Sequence, residues 1–352
     1  MSRDEWKLAL QMGATYIGTV VGAGFASGQE VLQFFTRFGA FAWLGISLAT
    51  ALFVLLGGFI MSLGRRPGAG TFGAVSATLL GRGASRAVSG VLLLMLIGVT
   101  IAMVAGSGAL LQEQMGLPFI AGALLAVIIT GATVVAGMRA ILLANSVIVP
   151  SLLLFITVVF FVAGGQHAGA VPPTDAPPGA SPWLHAAAAA ITYAGFNVGL
   201  SLTVLVPLGR VAPRKRTLWS GAALGSLGLG GMLFLMHMLL TANPSAVAFE
   251  VPMGRIAQTL PWPLRIGFLL VLWGEIYSTL LANVYGIARE LQSLLRIPFR
   301  AATTGVLFTA LAACQIGFAR IVSIGYPLFG YGALIILGLL LGRAGELRAK
   351  RL

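Results

Sequence analysis

Charge is what this sequence has least of. Only 9% of its 352 residues are Asp, Glu, Lys or Arg, against roughly 25% in a soluble domain. That deficit excludes an ordinary water-solvated globule and points to lipid as the solvent. Cysteine is nearly absent: Cys314 stands alone in an apolar run, so no intrachain disulfide can form, and it reads as a small buried hydrophobe. Histidine occurs three times, too few for a His-rich metal site. No Gly-Lys-Ser/Thr follows a Gly-rich turn, which excludes a nucleotide-phosphate loop. Paired acids or Ser/His pairs of the kind an intramembrane hydrolase needs are also missing. The chain is therefore read as a non-enzyme.

What is plentiful is apolar residues, at 58%, and glycine, at 47 residues. In water each helical glycine would weaken its helix by about 1 kcal/mol relative to Ala. In lipid, glycines let helices approach closely. A run of about 20 apolar residues crosses the hydrocarbon core as a helix. Ten such runs are legible: 8–36, 41–63, 87–111, 117–137, 141–164, 183–208, 218–242, 266–288, 301–319 and 321–342. Eight lack any charged residue, and the others carry one acid each, Glu30 and Glu275. Nine spans is the competing count, because the turn at Arg320 is short.

With the N-terminus in the cytoplasm, 18 of the 22 basic residues fall on the cytoplasmic side, leaving Arg37, Arg255, Arg265 and Arg320 outside. This bias orients the chain with both termini inside. It also accounts for the net charge of +13: the cations are topology anchors and anionic-lipid contacts, with no interleaved aromatics for nucleic acid. The long Gly, Ala and Pro-rich stretch at 165–182 is expected to be an external linker. It divides the chain into a five-helix repeat over 1–164 and a second over 183–342, followed by a cytoplasmic tail at 343–352. A short external helix is expected from Ser245 to Leu260, and an internal amphipathic piece over 68–82.

Two spans look interrupted. The first reads Tyr16-Ile-Gly-Thr-Val-Val-Gly-Ala-Gly-Phe-Ala-Ser-Gly-Gln-Glu30, with glycines at 18, 22, 24 and 28. The sixth carries Gly195 and Gly199 on either side of Asn197, next to Tyr193 and Phe196. Unwound backbone inside lipid leaves polar groups unpaired at several kcal/mol each. It survives where a cavity, ion or substrate supplies partners. Each five-helix group would then begin with a broken helix, and an odd number of spans per group inverts the second. The expected fold is an all-α membrane protein of ten helices in a 5+5 inverted repeat, with helices 1 and 6 interrupted. Close helix packing is the competing account of these glycines.

Glu275 stands mid-span, where an unpaired carboxylate costs several kcal/mol. Ser278 and Thr279 share its helix face at i+3 and i+4. Their hydroxyls, with free carbonyls at Val20 and Val21, suit a hard cation such as Na⁺, whereas Glu275 itself suits H⁺ coupling. Candidate substrate-binding residues are Gly22, Ala23, Gly24, Ser27, Gln29, Glu30, Tyr193, Gly195, Phe196, Asn197 and Glu275.

The run Gly18-Thr-Val-Val-Gly-Ala-Gly-Phe-Ala-Ser-Gly-Gln-Glu30 resembles the YkvI-type family of bacterial membrane proteins, as do chain length and span plan. More remotely the chain looks like the amino acid–polyamine–organocation superfamily, including the neurotransmitter:sodium symporters. That resemblance implies that Gly22-Ala-Gly24 binds the polar end of a substrate. It also implies a sodium ion held by Val20 and Val21 carbonyls with Ser278 and Thr279. Thr19 stands where symporters commonly have Asn, and Glu30 and Glu275 are not general features of the superfamily. The expected function is secondary transport of a small nitrogen-containing solute, an amino acid or amine, coupled to Na⁺ or H⁺ by alternating access in the bacterial inner membrane. No cofactor beyond such an ion is expected, and the assembly is read as a monomer or homodimer. An organic-cation exporter, a channel and a non-transporting sensor are the alternatives.

Overall fold

A computed structural model describes residues 1–66, 71–134, 138–163 and 181–349, and among them every regular element is helical. The first apolar run holds three pieces, α1 (Arg3–Val20), α2 (Ala23–Ala26) and α3 (Gln29–Phe34), followed by a 3-10 stretch at Thr36–Phe41. Ser2 caps α1 and Glu5 caps back, a reciprocal capping box. Next come α4 (Ala42–Gly64), α5 (Phe72–Met115), α6 (Phe119–Val134) and α7 (Met138–Ala163). The second half holds α8 (Pro182–Val211), α9 (Lys215–Ala242), a 3-10 turn at Pro244–Ala248, α10 (Pro252–Ala257), α11 (Trp262–Leu295) and α12 (Phe299–Ala313). Last, α13 (Phe318–Arg320) passes through a π-helical turn, Ile321–Gly325, into α14 (Tyr326–Ala349). Among the described residues seven helices are long and apolar enough to cross a membrane, with α6 and the Pro150–Val162 part of α7 as shorter apolar helices. The chain is a multi-pass membrane protein.

Four expectations need correcting. The sixth run is not interrupted: α8 is helical throughout. Its glycines are packing surfaces, since a β-carbon on Gly195 would lie 2.6 Å from Leu334 Cγ, and one on Gly199 2.6 Å from Ala333 Cβ, both on α14. The expected helix Ser245–Leu260 is two short pieces, because Val251 precedes Pro252 and is held out of helical geometry (φ −122°, ψ 77°). The turn before the last span falls at Gly317, whose φ of 91° favours glycine, rather than at Arg320. The third run belongs to a much longer helix, with the piece expected at 68–82 starting at Phe72 and bending at Gly81 (φ 83°). The Ser76 and Ser85 hydroxyls bridge that bend at 2.6 Å. The linker lies outside the described residues up to 180, and the tail beyond 349 does likewise.

The helices sort into two bodies. In the first, α1 packs on α8 and α9, and α4 packs on the same two. Small residues permit it: a β-carbon on Gly13 would sit 3.0 Å from Gly225 N, and one on Gly225 3.0 Å from Gly13 O. Backbone contact of this kind supplies the dispersion that holds helices together where lipid offers no hydrophobic drive. Tyr16 donates to Phe53 O at 3.1 Å. At one end Glu5 pairs with the exposed Arg214 at 3.4 Å, worth about 1 kcal/mol or less, and Arg65 donates to Pro213 O at 3.2 Å.

The second body joins α5, α6, α11 and α12. Here Ser107 donates to Gly122 O and accepts from the Trp273 indole, both at 3.0 Å, while Tyr277 donates to Thr133 at 2.7 Å. α14 leans on α5 and α8, and α7 on α9 and α11, so each touches both bodies.

Candidate functional site

The site begins with the chain break after α1. Val20-Val21 is β-branched and followed by Gly22, so extended backbone is favoured there. Val21 (φ −69°, ψ 117°) and Gly22 (φ −136°, ψ −174°) are both extended. The Val21 N–H still bonds Ile17 O, and bonding resumes with the Ala26 N–H on Gly22 O, both at 2.8 Å. No backbone hydrogen bond crosses the break to the carbonyls of Gly18, Thr19, Val20 and Val21. α2 lasts a single turn, closed by Ser27, which donates to Gly24 O at 2.8 Å and accepts from the Gln29 N–H at 3.2 Å. Gly28 then turns with φ 82° and α3 begins.

The residues that carry these carbonyls line a cavity of about 710 Å³ between the two bodies. Its inner end is formed by the 20–24 segment, Glu30, Phe196, Asn197, Glu275 and Tyr326. Its outer part runs along α5, α8 and α11 to Thr71, Gly73, Thr203 and Gly286, which are exposed. That mouth lies at the end of the bundle carrying Arg65, Arg82, Arg86, Arg210 and Arg289.

The inner end is polar and incompletely satisfied. Glu30 is 4% and Glu275 2% exposed, and Oε2 of each lacks a hydrogen-bond partner in the protein. Nδ2 of Asn283, also on the wall, is unpartnered too. Buried polar atoms are normally paired; beside Glu30 stands the Tyr193 hydroxyl, which also lacks a hydrogen-bond partner. Asn197 donates to Tyr193 O at 3.0 Å, which leaves its Oδ1 free to accept. Ser278 donates to Glu275 O at 3.1 Å, leaving its lone pairs free. Thr279 stands opposite the break: a β-carbon on Gly22 would meet its Oγ1 at 3.6 Å. Glu30 folds back onto α2, where a β-carbon on Gly24 would come within 2.9 Å of its Cδ. Tyr326 lies against Phe196, with ring centroids 4.3 Å apart.

The cavity thus brings together Val20, Val21, Gly22, Ala23, Gly24, Glu30, Phe196, Asn197, Glu275, Ser278 and Thr279. It does not include Ser27, Gln29, Tyr193 or Gly195 among its walls. Ser27 is spent on the α2 turn. Tyr193 is packed among Phe34, Phe35 and Phe53. Gln29 is buried with an unpartnered Oε1. Tyr277, a further pocket candidate by its position beside Glu275, stacks on Trp273 instead. Tyr326 and the α5 wall were not expected. The Gly325-Tyr326-Pro327 run, a turn signal inside an apolar stretch, is the trace of the former, and a π-helical turn directly precedes Tyr326.

The opposite end of the broken helix is covered by a lid, residues 243–260. The Met253 N–H donates to Ser27 O at 2.9 Å. Glu113, at the end of α5, accepts from the N–H groups of Glu250 (2.7 Å) and Val251 (3.2 Å). Glu250 in turn accepts from the Phe318 N–H at 2.8 Å.

Comparison with known proteins gives relatives over nearly the whole length. The uncharacterized membrane protein YkvI of Bacillus subtilis (strain 168) is 31% identical over 337 residues, 95% of each chain. The uncharacterized protein YyaD of the same organism is 24% identical over 339 residues, covering 96% of this chain and 97% of the relative. No family model matches the chain. Among solved structures, the inward-facing conformation of Mhp1 superposes with TM-score 0.69 at 17% identity, covering 98% of this chain and 78% of that one. A closed conformation of Mhp1, a nucleobase-cation-symport-1 family transporter with bromovinylhydantoin bound, gives 0.58 at 13% identity, over 94% and 76%. MhsT in complex with L-phenylalanine gives 0.62 at 16% identity, over 96% and 88%. The fold is the one these transporters share.

Proposed function

The chain belongs to the YkvI-type family of bacterial membrane proteins, and from that premise we propose that it is a secondary active transporter of a small nitrogen-containing solute. The observation that carries this reading is the meeting of a broken helix with two unpartnered buried carboxylates in one cavity, open at one end and lidded at the other. A membrane protein tolerates such unpaired groups where something polar docks. The solute would sit between the 22–24 segment, Glu30, Phe196, Asn197 and Glu275.

The ten spans are α1–α3 together, α4, α5, α6, α7, α8, α9, α11, α12 and α13–α14, arranged as two inverted groups of five, 1–164 and 183–342. Packing supports this division. Exchanging each helix for its counterpart turns α1 on α9 into α8 on α4, α5 on α6 into α11 on α12, and α5 on α14 into α11 on α7, and all six pairs occur. Alternating access is then a rocking of the α1, α4, α8, α9 body against the α5, α6, α11, α12 body.

The basic residues at the cavity mouth put that end in the cytoplasm by the positive-inside rule, with both termini there and the bacterial inner membrane as the host. The state described is then inward-facing, in keeping with the better superposition on the inward-facing form of Mhp1. Na⁺ is the favoured coupling ion. Free carbonyls at Val20 and Val21, with hydroxyls at Ser278 and Thr279, are hard oxygen donors suited to it. Glu275, three residues before Ser278, is the group that would carry H⁺ instead. Among the described residues no three His, Cys, Asp or Glu come together, so a site of that composition for a transition metal has no support here.

The test is flux. Purified protein in sealed liposomes should accumulate a labelled amine or amino acid under an inward Na⁺ or H⁺ gradient, and should exchange it with an internal pool. Binding without exchange would leave a sensor, and currents far above transporter rates in planar bilayers would leave a channel.

A further inference from the structure

The inner cavity carries an electrostatic signature that narrows the solute beyond its nitrogen content, an inference resting on the transporter reading above. Three carboxylates line the walls, Glu30 and Glu275 deep inside and Glu290 toward the mouth, while no Lys, Arg or His stands among the described lining residues. The deep pair are buried and each retains an unpartnered Oε2. The remaining polar atoms on the inner wall are chiefly acceptors: the carbonyls released at the break, Asn197 Oδ1 and the lone pairs of Ser278. The donors on the wall, Asn283 Nδ2 and the Thr279 and Tyr326 hydroxyls, are neutral and cannot offset a substrate anion. Phe196 and Tyr326, whose rings lie against each other, border the same end.

Glu30 settles what happens to an anionic substrate group. Its side chain occupies the notch beside Gly24, so closely that even a β-carbon there would collide with the carboxylate. The polar notch at the break, where a substrate carboxylate would find exposed backbone, is filled by a carboxylate belonging to the protein. An amino acid would bring its carboxylate against the Glu30 carboxyl, where no Lys, Arg or His of the described lining compensates it.

We infer that the cavity selects a small organic cation lacking a carboxylate, an amine, diamine or guanidine, held between Glu30 and Glu275. A cavity of about 710 Å³ accommodates such a molecule with room for water.

The experiment compares matched pairs that differ by one carboxylate: agmatine with arginine, putrescine with ornithine, and 2-phenylethylamine with phenylalanine. Thermal stabilisation of the full-length protein in detergent is titrated with each, with and without Na⁺, and exchange of each is measured in liposomes. At least one amine should half-saturate at a concentration at least tenfold below its amino acid, the size expected for a charge-assisted contact. Glu30→Gln should weaken that amine by roughly tenfold and bring the pair closer together. Glu275→Gln should weaken the amine without closing the gap, which separates the Glu30 role from a general loss of charge. Amino acids or neutral solutes that bind and exchange more tightly than every amine overturn the inference while leaving the transporter reading intact. Amines that bind but never exchange uphold the cation site and overturn transport. Absence of any binding overturns both.

Discussion

α1 and α8 look alike in sequence and differ in structure. Each carries a glycine cluster beside a polar residue in the middle of an apolar run. Yet the first helix stops at Val20 and restarts at Ala23, whereas α8 continues from Pro182 to Val211. The difference lies in what the glycines face. Those of α8 meet Leu334 and Ala333 of α14, a packed helix that leaves no space for a ligand and needs none. Two of its polar side chains bond back to their own helix, Asn197 to Tyr193 O at 3.0 Å and Ser201 to Asn197 O at 2.7 Å. Gly22 and Gly24 instead lie against Thr279 and Glu30, polar side chains on the wall of a cavity. The same residue type lets one helix approach a neighbour and lets the other come apart.

Paired substitutions break this comparison most sharply. A methyl at Gly24 meets the end of a flexible carboxylate, which can swing away at little cost to folding but leaves its place in the site. Gly24→Ala should therefore lower uptake by roughly tenfold or more, the loss expected of a displaced charged contact, with the melting temperature nearly unchanged. A methyl at Gly199 meets Ala333 Cβ at 2.6 Å, and helix backbones must separate to admit it. Gly199→Ala should cost about 1–3 kcal/mol of stability and lower the melting temperature, while the surviving folded protein keeps its substrate half-saturation. If both variants lose stability and neither loses affinity, the two glycine clusters are the same kind of feature.

Glu275 tests the partner wall. It is the buried acid of α11, and uptake driven by an ion gradient should be lost in Glu275→Gln, or its dependence on pH altered, with the helical circular dichroism retained. Wild-type uptake across the pH range would remove Glu275 from the mechanism. Next in size is the cation set. Ser278→Ala combined with Thr279→Ala removes two oxygen donors and should raise the Na⁺ concentration for half-maximal uptake by about tenfold, equivalent to about 1.4 kcal/mol. An unchanged Na⁺ dependence would favour H⁺.

Much of this could be read from the sequence, and the parts that could not share a cause. The break at 21–22 was legible because a Val-Val-Gly-Ala-Gly run is a poor helix wherever it lies. Glu30 and Glu275 were legible because an acid in an apolar run has no cheap alternative explanation. The continuity of α8 was not, since glycines that pack and glycines that unwind have the same spacing until the neighbouring helix is known. Tyr326 was missed because its place on the wall depends on how the last helix packs on Phe196 of α8. The lid was legible as a non-spanning stretch, but its fastening was not: Glu113 and Glu250 meet across 137 residues of sequence, and no local pattern announces such a contact.

That fastening supplies the smallest expected effect and extends the comparison from the broken helix to its cover. Glu113 accepts two backbone N–H groups from the lid, and the lid reaches Ser27 at the end of α2 through the Met253 N–H. In a rocking transporter this cover must lift when the opposite end opens. Glu113→Gln retains one carbonyl acceptor but loses the second and the charge, a change of about 1 kcal/mol or roughly fivefold in the closed-to-open equilibrium. Met253, on the lid itself, is buried against Gly28, so Met253→Cys with Cys314→Ser reports the lid's opening. A membrane-impermeant thiol reagent should modify that cysteine a few-fold faster when Glu113→Gln is added, and saturating substrate should change the rate in both backgrounds. Equal rates with and without Glu113→Gln would make the contact a static support. The broken helix would then be gated from the basic end alone.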